Sequence, residues 1–90
     1  MKEYPIATFK NIVEDVKNYT MIFQIEEVSD GRCKILSELY WNSKKGISVM
    51  IDKFFVPYFP IQEQGERLEK VKEIFNLVIQ AEEKKKEVKA

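Results

Sequence analysis

The sequence predicts an α+β domain: a three- to four-stranded antiparallel β-meander backed by a long C-terminal helix, with a short N-terminal helix. Three observations carry this. Tyr19–Val28, Cys33–Trp41 and Ile47–Ile51 are rich in β-branched and aromatic residues, the composition of strands. Asp30-Gly31 separates the first two runs, the strongest short-range signal for a hairpin. Leu68, Val71, Ile74, Phe75, Val78, Ile79 and Ala81 fall on one stripe at helical spacing.

Met1–Pro5 reads as a lead-in. From there the apolar residues Ile6, Phe9, Ile12, Val13, Val16 and Tyr19 sit close to helical spacing. They predict a short amphipathic helix over about Thr8–Lys17, with Thr8 as its cap and Asn18 as its stop. A strand through Ile6–Phe9 is the alternative.

A two-residue Asp-Gly turn sets a register for the hairpin. It places Val28 opposite Cys33, Glu27 opposite Lys34, Ile25 opposite Leu36, Phe23 opposite Glu38 and Met21 opposite Tyr40. Glu27 with Lys34 is then a favourable cross-strand pair. In this register one face carries Met21, Phe23, Ile25, Leu36 and Tyr40, interrupted by Glu38. The other carries Ile22, Val28, Cys33, Ile35, Leu39 and Trp41 among polar residues. Neither is a wet face, so both need cover or one is a binding surface.

Asn42–Gly46 forms a five-residue turn, with Gly46 suited to a left-handed backbone. Ile47–Ile51 is the next strand, its register against the previous one open by one residue. Asp52–Pro60 continues as a strand or as an aromatic connection, and Pro57 confines whatever follows it to an edge or a loop. Ile61–Ala81 is the clearest helix, and Glu66 with Lys70 gives it an i,i+4 pair. Past Ala81 only Val88 is apolar, so residues 82–90 read as a charged, solvated tail to a single domain spanning 1–81.

The chemistry available is narrow. There is no histidine and Cys33 is the single cysteine, which excludes intrachain disulfides and every His/Cys zinc spacing. The carboxylate pairs Glu14-Asp15, Glu26-Glu27 and Glu82-Glu83 are adjacent, and adjacent side chains diverge on helices and strands alike. The glycines at 31, 46 and 65 make no phosphate loop. Enzymatic activity, a metal and a cofactor are therefore not expected. A lone thiol without a signal peptide predicts a cytoplasmic protein, and no apolar run reaches the ~18 residues of a membrane span.

Charge is balanced overall, with 15 basic and 15 acidic residues, but it is not evenly spread. Arg32, Lys34, Lys44, Lys45 and Lys53 face only Glu38 and Asp52 within residues 31–60. That basic third also holds Trp41, Tyr40 and the run Phe54–Phe59. Rings beside cations on a sheet are what binding of a single strand requires, since bases stack on the rings while the cations follow the phosphates. The competing reading is that these rings build a small core.

The segment Glu38, Tyr40-Trp41 and Lys45-Gly46-Ile47-Ser48, followed by a helix, resembles the positive-cofactor-four family of transcriptional coactivators. The resemblance implies a homodimer of curved antiparallel sheets, each backed by a C-terminal helix and binding single-stranded DNA. It implies base stacking for Trp41 and phosphate contact for Lys45. The expected function is sequence-independent binding of single-stranded DNA or RNA by a homodimer, through Trp41, Tyr40, Lys44, Lys45, Lys34 and Arg32. The alternative is a non-enzymatic protein-interaction module using the second sheet face and the Phe54–Phe59 rings.

Overall fold

The computed structural model describes residues 9–28 and 31–88. In chain order these form β1 (Phe9–Val16), β2 (Tyr19–Val28), β3 (Arg32–Asn42), β4 (Ser48–Pro60), a 3-10 turn (Ile61–Glu63) and α1 (Gln64–Val88). The strands make one antiparallel sheet in the order β1-β2-β3-β4, and α1 packs on one side of it. The fold is the expected α+β meander and helix, with four strands.

The N-terminal helix is replaced by β1, which pairs with β2 along its whole length. Ile12 and Val16 are four residues apart, a spacing that shares a face in a strand as well as in a helix. Their β-branching, with that of Val13, favours the strand, and β2 supplies the hydrogen bonds. Val16 pairs with Tyr19 across a two-residue loop in which Lys17 takes a left-handed φ of 55°. Thr8, the expected cap, and Ile6 lie outside the described residues.

The β2–β3 hairpin is offset by one residue from the expected register. Val28 pairs with Arg32, so the loop spans residues 29–31, and Glu26 rather than Glu27 meets Lys34, at 3.0 Å. Gly31 stands at the end of that loop with φ 66°, as a three-residue hairpin loop needs. Ser29 and Asp30, part of the expected turn, lie outside the described residues.

A one-residue slip turns every side chain of a strand to the other face. In the true register the two faces separate cleanly. Tyr19, Met21, Phe23 and Ile25 share the helix side with Cys33, Ile35, Ser37 and Leu39, and all eight are buried. Thr20, Ile22, Gln24 and Glu26 share the opposite side with Lys34, Leu36, Glu38 and Tyr40.

Helix α1 closes the core with Val71, Phe75 and Ile79, one residue per turn, and the Phe75 ring stacks on Phe23 at 6.2 Å. Lys72 reaches Glu14 of β1 at 3.1 Å, and Arg67 lies over the ring of Phe59 of β4 at 5.7 Å. The amide of Ile61 donates to Gly31 O at 3.0 Å, tying the helix entry to the hairpin loop. Residues 82–88 continue the helix, and Tyr19 Oη donates to Glu83 there at 3.1 Å.

Candidate nucleic-acid interface

The candidate residues stand on β3 and β4. A five-residue connection joins them, with Ser43 as its hub: its Oγ accepts from the amides of Lys45 and Ile47 at 3.2 and 3.1 Å. Gly46 takes φ 84°, the left-handed position expected of it. This turn holds Lys44 and Lys45 out in solvent. Beyond it β4 runs for 13 residues as the sheet edge, through the stretch that read as either strand or connection. Two irregularities bend its register, between Cys33 and Ile35 and between Leu39 and Tyr40. The first takes up Pro57, which cannot donate to the ladder.

Successive residues on a strand point to opposite faces, so Tyr40 and Trp41 do not share a surface. Trp41 pairs with Val49 on the helix side and is half-buried against the core. Lys86 Nζ stands 4.9 Å from the centre of its ring and 5.5 Å from that of Tyr19, and donates to Tyr19 Oη at 3.4 Å. Burial pushes the Tyr19 phenol above its ordinary pKa, with the Lys86 hydrogen bond acting the other way.

Tyr40 lies on the face away from α1, together with Arg32 and Lys34. No described element covers that face. It also carries Leu36, Met50, Phe55 and Tyr58, all exposed, with Phe55 at 53% and Tyr58 at 59%. Phe55 is placed there by pairing with Leu36, and Tyr58 by its position next to the buried Phe59. The Phe54–Phe59 run is therefore not one cluster: Phe59 is core, Phe54 is on the helix side, and Phe55 and Tyr58 stand separately on the open face.

Two shallow depressions mark the open face. One of about 250 Å³ is lined by Gln24, Glu26, Lys34, Leu36 and Phe55. The other, about 180 Å³, is lined by Thr20, Ile22, Tyr40, Asn42 and Ser48. A relay of side chains crosses all four strands beside the second. Ser48 Oγ donates to Asn42 Oδ1, Asn42 Nδ2 to Thr20 Oγ1, and Thr20 Oγ1 to Asp15 Oδ1, at 2.7, 2.7 and 2.8 Å. It fixes the turn end of the face in one arrangement.

The electrostatics of the face are mixed. The Lys34 ammonium is held above its ordinary pKa by its hydrogen bond to Glu26. Burial, then the hydrogen bond it donates to Glu38 at 3.1 Å, raises the Tyr40 phenol. Lys53 stands opposite Glu38 in the strand register. Among the described residues no group of acidic or cysteine side chains could hold a metal ion. Cys33 is buried, with the Gln64 amide 3.8 Å from its sulfur.

Of the six residues read from the sequence, the fold brings Arg32, Lys34 and Tyr40 to one face, Lys44 and Lys45 to the turn at its end, and Trp41 to the other face. Phe55 and Tyr58 were read from the sequence only within the Phe54–Phe59 run of the alternative reading, and Lys53 only as part of the basic third. Their strand alternation is visible in DKFFVPYFP only when one extra residue is allowed at Pro57. Lys86 was missed because nothing in a charged tail marks one lysine out. Comparison with protein families, with characterised proteins and with solved structures finds no match to this chain.

Proposed function

We propose that the open sheet face binds single-stranded nucleic acid without sequence preference. The observation that carries this is the exposure of Phe55 and Tyr58 on an uncovered face shared with Arg32 and Lys34. A ring more than half exposed on a strand face offers its π-surface to a base, and each such stack contributes ~1–3 kcal/mol. Tyr40 extends the row toward the turn, where Lys44 and Lys45 meet phosphates. The resemblance of the Tyr40–Ser48 segment to the positive-cofactor-four family supports the same reading, as does the open sheet of a meander-plus-helix plan.

Few cations on this face stand apart from carboxylates, so the electrostatic share is modest. Binding through three phosphate contacts gives a slope of log K against log salt of about −2, at roughly −0.7 per contact for single strands. Fluorescence anisotropy of a labelled oligothymidylate across a salt series measures it. Binding that ignores salt, or no binding at all, would count against the proposal.

A second reading, a protein-interaction surface, is favoured by β4 itself. This edge strand exposes large apolar side chains on both faces, Val49 and Phe54 on the helix side and Met50, Phe55 and Tyr58 on the other. Ile74 and Leu77 of α1 are exposed as well. We place the homodimer contact of the proposed function on Phe54, Ile74 and Leu77 of this helix side, which leaves the open face and the Trp41–Val49 end free for a nucleic acid strand.

A further inference from the structure

We infer that the last turns of α1, Glu82–Val88, form a displaceable cover over Trp41, and that lifting it adds the indole to the surface on which a single strand stacks. The second half rests on the single-strand reading above. Among the described side chains of α1, the last apolar one buried against the sheet is Ile79. One turn on, at the equivalent position, stands Glu83, and its contact with the sheet is the hydrogen bond from Tyr19 Oη. Lys86 completes the attachment through its ammonium, over the Trp41 ring at 4.9 Å and the Tyr19 ring at 5.5 Å. These are partly exposed polar contacts: Lys86 and Glu83 side chains are 49% and 35% accessible. Contacts of this kind open at little cost compared with the buried stripe before them.

What lies beneath is a surface suited to a ring. A shallow depression of about 330 Å³ is lined by Trp41, Val49 and Ile51, with Glu82 and Lys86 at its helix edge. The floor is apolar and contains the only tryptophan of the chain. The ammonium takes the position above the indole that a stacked base would take, so cover and base compete. Lys44 and Lys45, in the turn that follows Trp41 and Asn42, are placed to meet the phosphates of a strand reaching round to this side.

Two variants of the full chain test it: Lys86→Ala, and truncation after Ala81. Each is first shown by circular dichroism to keep its sheet. Acrylamide quenching of Trp41 reads the cover without any ligand, and should rise in both variants. Affinity for labelled oligothymidylate should rise about two- to fivefold in Lys86→Ala, the size of the competing cation–π contact. Unchanged quenching would overturn the cover. Greater quenching with unchanged or weaker binding would overturn its competition with the strand, while leaving the open-face reading intact if Tyr58→Ala still weakens binding. Absence of binding in wild type and both variants would overturn the single-strand reading and the stacking half of this proposal, and the cover itself stands or falls on the quenching.

Discussion

Ser37 is the one polar side chain in the buried set, paired with Phe23 on one side and Phe54 on the other. Its Oγ has no hydrogen-bond partner among the described residues. A buried hydroxyl without a partner keeps its desolvation cost, so Ser37→Ala should be neutral or stabilising by up to about 1 kcal/mol. Urea unfolding measures this, and a loss of more than about 1 kcal/mol would reveal a partner for the hydroxyl. Gly31 gives the opposite case. Nothing lies within 4 Å of a side chain added there, so Gly31→Val is penalised by its backbone at φ 66° alone, by about 1–2 kcal/mol. An unchanged melt would mean the loop does not need a left-handed residue. The turn glycines were legible in the sequence because their conformational role is local. The length of the loop ending in Gly31 was not, because a two- and a three-residue loop both accept Asp-Gly, and only the burial of Cys33 and Ile35 beside Ile25 decides between them.

At the scale of elements, α1 was the most legible, since seven apolar residues on one stripe admit no other structure. β1 was not, because residues four apart serve both periodicities, and the deciding factor was the hydrogen bonds offered by β2. Position also separates the two ends of α1. Phe75→Ala removes a fully buried ring stacked on Phe23 and should cost ~3–5 kcal/mol, enough to unfold a domain of this size. Truncation after Ala81 removes the Tyr19–Glu83–Lys86 contacts and the Lys86 ammonium over Trp41, all partly exposed, and should cost no more than about 1 kcal/mol. A comparable loss in both would mean the last turns are part of the core.

The joints between elements also set an alkaline limit. Tyr19, Lys34 and Lys72 all have raised pKa values, Tyr19 by burial, Lys34 by its hydrogen bond to Glu26, and Lys72 by its hydrogen bond to Glu14. The folded state therefore holds these protons more tightly than the unfolded chain does. The stability they contribute is fully present below the ordinary tyrosine and lysine values, about 10–10.5, and is lost as pH climbs through the raised ones. Thermal melts should be flat in this respect from neutral pH to about 9 and decline above about 10. Melting that improves above pH 10 would contradict the assignment.

For the whole molecule, the sheet-and-helix plan follows from hydrophobic periodicity, whereas the choice of face does not. With the register displaced by one residue, Tyr40 shares a face with Met21, and Trp41 appears free to stack on the other. In the fold Trp41 meets the helix and Tyr40 lies on the open face, so the proposed binding row is Phe55 and Tyr58 with Tyr40. The exposed Ile74, Leu77 and Phe54 lie on the helix side, and burying them in the proposed homodimer predicts twice the 10.7 kDa chain mass by light scattering at tens of micromolar. A monomer mass would remove the dimer and leave the open face unaffected. The most direct test of the account is the affinity of a labelled oligothymidylate for wild type and for Tyr58→Ala, whose ring is 59% exposed and outside the core. The account predicts measurable binding by wild type, weakened by ~1–3 kcal/mol in the variant with no change in melting temperature. Equal affinity for the two proteins, or no binding by wild type, would contradict it.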